Sequence, residues 1–336
     1  MPHRWFKIGL IVFLILILGA AIWLGAQMFR SKNTPEGRTL ASLKKVDDFP
    51  LYVMHYYADY AFDEFLQTGY QAAAPTVGVG FACSCFAAQT PDGDRIFGRN
   101  FDWMHRPTLV LFTHPDGAYD SVSIVDIDYL GFTEYGPGLG ARDNLLDAPM
   151  WPFDGMNEKG LVVGMMAVDH ARDDGEPGQA TIGTLHAIRL MLDYAATVDE
   201  AVDLLGQYRI DLGNGPPVHY LVSDVGGASA IIEWVDGEMI VLPGESAWQV
   251  CTNFILSQVR PEGAHSPCRR YNKAYTTLLE SSGQLTEAEA MALLAEVSQN
   301  NTIWSAVFNQ TSGDIRVAVG RRYERVHEFH LDMAKE

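Results

Sequence analysis

The sequence predicts an α+β domain in which antiparallel sheets pack together with helices outside, behind an apolar N-terminal helix. Three observations carry that expectation. Short apolar runs bounded by turn residues fill much of 79–170 and return at 219–253 and 302–331. Helical periodicity is confined to 47–68, 181–207 and 267–298, so helices and antiparallel strand sets are segregated along the chain. Residues 8–26 form one uncharged apolar run.

That run, Ile8 to Ala26, approaches the roughly 20 apolar residues with which a helix crosses a bilayer. Arg4 and Lys7 precede it, and Arg30 and Lys32 follow it. Its length favours an uncleaved anchor over a cleaved signal peptide, whose apolar core is shorter. The expected organisation is a membrane anchor or signal segment over 1–32, a linker and helix over 33–82, and the main domain over 83–336, outside the cytoplasm. A helix is expected over 47–68, capped by Asp47 or Asp48, with Leu51, Met54, Tyr57, Ala61 and Phe65 as its apolar stripe.

Val79–Ala88 and Arg95–Asn100 flank the turn Pro91-Asp92-Gly93-Asp94 and read as a hairpin. Leu109–Thr113, Ser121–Val125 and Leu161–Val168 follow as strands. Residues 181–207 read as two helices, the second started by Thr197 with Glu200. Strands at His219–Ser223, Ala228–Val235, Met239–Leu242 and Gln249–Asn253 come next. Helices at 267–281 and 287–298 follow, the latter capped by Thr286 with Glu289. Thr302–Phe308, Ile315–Val319 and Val326–Leu331 close the chain as strands.

The 336 residues carry a formal charge of −18, which argues against nucleic acid as a partner, since phosphates are held by Lys and Arg. Zinc knuckles, a P-loop, a full G-x-G-x-x-G and H-E-x-x-H are all missing from the sequence, so no metal or organic cofactor is implied. Of the four cysteines, Cys251 and Cys268 read as separate thiols, with a disulfide as the alternative outside the cytoplasm.

Cys83 starts a probable strand, and the hairpin returns Arg99 and Asp102 beside it. A nearby cation favours the thiolate, which is the nucleophilic form of cysteine. A Cys–His hydrolase needs an imidazole base, yet His170, His186 and His219 lie in no local Cys–His signature. The remaining amine is the α-amino group of Cys83 itself, available only if the chain is cut before it; its ordinary pKa of about 8 suits a base.

With these residues in view, the sequence resembles the choloylglycine hydrolases, penicillin V acylases and acid-ceramidase-like amidases. These are N-terminal-nucleophile (Ntn) hydrolases, with a four-layer αββα fold. Their nucleophilic Cys precedes Arg by sixteen residues and Asp by nineteen, within G-R-N-x-D; Cys83, Gly98-Arg99-Asn100 and Asp102 match, and Cys85 is out of register. Asp154-Gly155-Met156-Asn157-Glu158-Lys159-Gly160-Leu161 is similar to the family's D-G-x-N-E-K-G-L turn, and His219-Tyr220-Leu221-Val222-Ser223-Asp224 to its H-W-x-x-S-D strand. Thr252-Asn253 resembles the segment supplying an oxyanion-hole Asn, and Ser266–Tyr271 the segment with a catalytic-site Arg, which the register assigns to Arg270. One position departs: where choloylglycine hydrolases carry a second oxyanion Asn, this chain has Ala167.

The resemblance implies hydrolysis of a linear, non-peptide N-acyl amide of small-molecule size, after self-cleavage before Cys83, with 33–82 as a propeptide-like segment. It assigns Cys83 as nucleophile, Asp102 as holder of the α-amine, Arg99 and Arg270 as positive charge, and Asn253 with a backbone N–H near Ala167 as oxyanion donors. An acyltransferase using the same acyl-enzyme, a non-catalytic binding protein and a Cys–His hydrolase are the rival readings.

Overall fold

The computed structural model describes residues 33–68, 82–104, 107–133, 136–137, 142–213 and 217–334. Two sheets dominate them. The larger has nine strands, in the spatial order Lys44–Asp47, Leu51–Tyr56, Thr108–Thr113, Ser121–Asp126, Asp154–Asn157, Val162–Ala167, Val218–Ser223, Ser229–Val235 and Glu238–Pro243. The smaller has six: Gln249–Cys251, Ala82–Gln89, Arg95–Asp102, Thr302–Asn309, Asp314–Val319 and His327–His330.

The inner strands of both sheets are buried along most of their length, as expected when each face is covered, while the edge strands Lys44–Asp47, Glu238–Pro243 and His327–His330 are not. Between the sheets lie Cys83, Cys85, Phe97, Phe101 and Trp304, within one large core that also takes in Val163 and, from the helices Thr184–Tyr194 and Val198–Leu205, Ile188, Leu192 and Leu205. A second cluster covers the other face of the six-stranded sheet. There Phe86, Ile96 and Val307 pack under Leu278 and Leu294, from the helices Arg269–Glu280 and Glu287–Glu296. The layers therefore run helix, sheet, sheet, helix. Gly164 lets the two sheets approach closely, because a Cβ at that position would stand 2.7 Å from Cys85 Sγ.

Two expectations are corrected. The 47–68 helix is instead a turn, the strand Leu51–Tyr56 and a short helix Phe62–Thr68. Leu51 and Met54 are buried, but as members of a strand running parallel to Thr108–Thr113, while Tyr57 is 44% exposed. The apolar spacing fits a helix; the backbone's hydrogen bonds go to a neighbouring strand. The membrane-anchored architecture is the second correction. No helix among the described residues is long and apolar enough to cross a membrane. The longest spans 12 residues, about 18 Å of rise against a hydrocarbon core of about 30 Å. The run at 8–26 that prompted the anchor lies outside the described residues. The membrane-anchored, extracytoplasmic placement of the domain is withdrawn with it.

Candidate active site

The hairpin of Ala82–Gln89 and Arg95–Asp102 sets the register of the site. Cys83 faces Phe101 across the ladder, Cys85 faces Arg99 and Ala82 faces Asp102. Strand alternation sends Cys83 and Cys85 to the interior between the sheets and Ser84 to the opposite face.

Two of the sequence-predicted residues, Asn253 and Arg270, bond the backbone of Cys83, which is 1% exposed. Its backbone N–H donates to Asn253 Oδ1 at 2.5 Å. Arg270 Nη1 donates to the Cys83 carbonyl and, at 2.7 Å, to Ser84 Oγ, and its Nη2 donates to Asn253 Oδ1 at 2.8 Å. Asn253 Nδ2 donates to the Ala167 carbonyl at 2.7 Å, so the departing position is nonetheless part of the cluster. Two donors on Oδ1 and a carbonyl on Nδ2 fix the amide's orientation and leave one Nδ2 hydrogen uncommitted by these contacts.

Arg99 and Asp102 make no hydrogen bond to the Cys83 backbone. Arg99 is fully buried; its Nε pairs with Asp154 Oδ2 at 3.2 Å and its Nη1 approaches Cys85 Sγ at 3.8 Å. Burial would push the guanidinium down, but Cys83, Cys85 and Asp154 around it outweigh that and hold it above its ordinary value. Burial pushes the Cys85 thiol up to about 12 despite Arg99, so Cys85 stays protonated at neutral pH. Asp102 accepts from Thr302 Oγ1 at 2.5 Å and Gln299 Nε2 at 3.0 Å, with Arg270 Nη1 3.8 Å away. Burial raises its carboxyl, and the hydrogen bonds and arginines offset that only in part.

The sequence reading missed two supporting residues. Asp154, taken as part of a turn, is the fully buried partner of Arg99 and also accepts from Trp304 Nε1 at 2.9 Å. Glu233, taken as strand, pairs with His219 at 3.0 Å in the interior. A lone carboxylate in the apolar run Ala230–Val235 was the available signal, because a buried charge requires a partner. His219 lies against Cys251, at 3.4 Å from Nε2 to Sγ, and both ring nitrogens meet acceptors. All four cysteines are free.

A family model described as "Linear amide C-N hydrolases, choloylglycine hydrolase family" matches residues 83–254, half of the chain. The penicillin V acylase of Pectobacterium atrosepticum is 26% identical over 188 residues, 52% of this chain; the chain spans about half the length of that curated relative, 50%. Among solved structures, penicillin V acylase from Agrobacterium tumefaciens superposes with a TM-score of 0.56 at 20% identity, covering 75% of this chain and 88% of that one. A mutant of the conjugated bile acid hydrolase from Clostridium perfringens gives 0.55 at 14% identity, covering 74% and 92%. These two likenesses establish the shared fold. The family model begins at Cys83 and ends one residue past Asn253, bracketing the cluster built above: the chain belongs to the choloylglycine hydrolase family.

Proposed function

We propose that this enzyme hydrolyses small-molecule N-acyl amides through Cys83, after self-cleavage of the Ala82–Cys83 bond. Cys83 Sγ adds to the Ala82 carbonyl, the acyl group passes from nitrogen to sulfur, and water hydrolyses the thioester. The products are an Ala82 carboxylate and a free Cys83 amine. In turnover that amine takes the thiol proton as Sγ attacks the substrate carbonyl, then delivers it to the leaving nitrogen. Water hydrolyses the resulting acyl-enzyme.

The observation that carries this reading is the 2.5 Å hydrogen bond from Cys83 N to Asn253 Oδ1. The nitrogen that must become the base already faces a hydrogen-bond acceptor. Asp102, across the ladder from Ala82, is the carboxylate that holds the new amine. Arg99 and Arg270 supply positive charge around the thiolate and the carbonyl. The spare hydrogen of Asn253 Nδ2 and the backbone N–H of Ala167 stabilise the oxyanion. Val168 N–H bonds to Pro217 on the neighbouring strand, so Ala167's own N–H and C=O turn the other way, toward Asn253.

N-terminal sequencing and turnover of penicillin V test the mechanism together. The purified protein should yield a fragment beginning at Cys83; Cys83→Ala should remain uncut and inactive, and Cys85→Ala should be cut and active. The Leu51–Tyr56 strand, seated in the nine-stranded sheet, should keep the preceding segment bound until denaturant is added. Full activity in an uncut chain sinks the α-amine mechanism.

The acyl group we assign is fatty or aromatic. Cys83 shares its apolar cluster with Phe101, Trp103, Phe153 and Trp304, and Phe101 stacks on Trp304 at 4.1 Å. Such walls suit apolar ligands with few polar anchors. In a panel of substrates, phenoxyacetyl and fatty-acyl amides should be cleaved faster than glycine- or taurine-conjugated bile salts. A preference for bile salts overturns the assignment.

A further inference from the structure

His219 and Glu233 form a buried pair that no step above uses. Both side chains are fully shielded from solvent. The strands Val218–Ser223 and Ser229–Val235 pair with Tyr220 opposite Ile232, so one step further along that register sets His219 opposite Glu233. Their other contacts converge on one short segment. His219 Nε2 lies 2.7 Å from the Thr252 carbonyl. Glu233 Oε1 accepts the Leu256 N–H at 2.7 Å, and Oε2 accepts the Ser257 N–H at 3.0 Å. The pair therefore grips the 252–257 turn at both ends, and Asn253 lies between the grips.

The donors and acceptors constrain the protonation of the pair. A carbonyl only accepts, so His219 Nε2 carries a hydrogen. Backbone amides only donate, so both Glu233 oxygens act as acceptors, the behaviour of a carboxylate. Burial pushes the Glu233 carboxyl up, but the hydrogen bonds and the charge of His219, with the hydrogen bonds of Ser257, outweigh it and leave the group below its ordinary value. His219 Nδ1 lies 3.0 Å from Glu233 Oε1, so both ring nitrogens are engaged within the pair and the turn, and neither is left free to serve as a base toward Cys83.

We infer that the His219–Glu233 pair is a clamp that positions Asn253 against Cys83 by holding the 252–257 turn, and that its contribution to turnover passes through Asn253. This rests on the role proposed above for Asn253. The grip through Glu233 is charge-assisted, which makes it stronger than an ordinary backbone contact. Asn253 in turn touches Cys83 N, Arg270 and the Ala167 carbonyl, so a displaced turn disturbs the acceptor on the Cys83 nitrogen and the oxyanion donor together. His219 and Glu233 are positioning residues, since neither is in contact with Cys83.

The test is a double-mutant cycle on the purified, self-cleaved enzyme, with penicillin V as the probe and circular dichroism as the check on folding. Glu233→Gln should lower kcat about 10- to 100-fold, the scale of an ångström-sized misplacement, with KM within about twofold. Asn253→Ala should lower kcat about 10²- to 10³-fold, the scale of a lost oxyanion donor. In the Asn253→Ala background, Glu233→Gln should cost almost nothing further, because the clamp then has no side chain to position. Two independent losses that multiply overturn the clamp and leave the role of Asn253 standing. An unchanged kcat in Asn253→Ala overturns that role, and the clamp with it. His219→Gln, which keeps a donor for the Thr252 carbonyl, supplies the same cycle from the other side if Glu233→Gln does not fold.

Discussion

Two buried arginine–aspartate pairs occupy different parts of the molecule, and their chemistry is nearly the same. Arg99 pairs with Asp154 at 3.2 Å, and Arg189 pairs with Asp193 at 2.7 Å, each almost completely shielded. Each guanidinium also lies over an aromatic ring, Phe101 at 5.3 Å and Tyr60 at 5.7 Å. The surroundings differ. The contacts of Arg189 and Asp193 tie the Thr184–Tyr194 helix to Ser121 on the neighbouring strand and to Tyr60. Arg99 instead reaches from one sheet to Asp154 on the other and approaches the thiol of Cys85. Burial and pairing alone therefore do not separate the two arginines; the thiols of Cys83 and Cys85 beside Arg99 do.

The largest effect expected comes from breaking either pair in half. Arg189→Met leaves Asp193 buried and unpaired, and Arg99→Met does the same to Asp154. Each should destabilise the fold by about 3–5 kcal/mol, read from urea midpoints. Replacing both partners with apolar residues separates the two sites. Arg189→Met with Asp193→Leu should regain much of that stability and keep penicillin V hydrolysis within about threefold. Arg99→Met with Asp154→Leu should regain stability but stay about 100-fold or more slower. Equal activity in the two folded double variants erases the distinction between the sites.

The sequence made one side of this comparison legible and hid the other. Cys83, Arg99 and Asp102 were visible because a tight hairpin fixes their register: the turn Pro91-Asp92-Gly93-Asp94 sets Arg99 opposite Cys85, diagonal to Cys83, and Asp102 opposite Ala82. Asn253 and Arg270 came from family resemblance, since they meet Cys83 over separations of 170 and 187 residues. Asp154 was missed because its partner Arg99 lies 55 residues away on the other sheet. Glu233 was missed although its partner His219 lies opposite it on the next strand, because nothing local shows that this face of the hairpin is fully buried. The 47–68 segment failed for a related reason. Its apolar positions fit a period of 3.6, but the parallel neighbour Thr108–Thr113 decides its backbone state, and no local pattern announces that neighbour. Local geometry was readable, then, and pairing between distant segments was not.

The smallest effect expected extends the comparison to a third buried aspartate. Burial pushes Asp154 up to about 6, because one arginine and the Trp304 N–H offset that burial only partly. Asp47 is also buried, but it takes Arg322, Arg325 and His327 together, with the Phe49 N–H at 2.8 Å. Burial pushes its carboxyl up as well; the Phe49, His327 and Arg322 contacts outweigh that and bring it down to about 2. The two groups therefore act on stability with opposite signs. Asp154 binds its proton more tightly folded than unfolded, so its contribution declines as pH rises from about 4 through 6. Asp47 binds its proton less tightly folded, so its contribution is present above about pH 4 and is lost as pH falls toward 2. Between pH 5 and pH 3 that loss amounts to about 1 kcal/mol. Urea unfolding of the parent and of Asp47→Asn at the two pH values measures it. The stability gap between them should narrow by that amount at pH 3, because the variant has no carboxylate to protonate. A gap that stays constant with pH means that the three cations do not hold Asp47 ionised, and that its place in the fold rests on its hydrogen bonds alone.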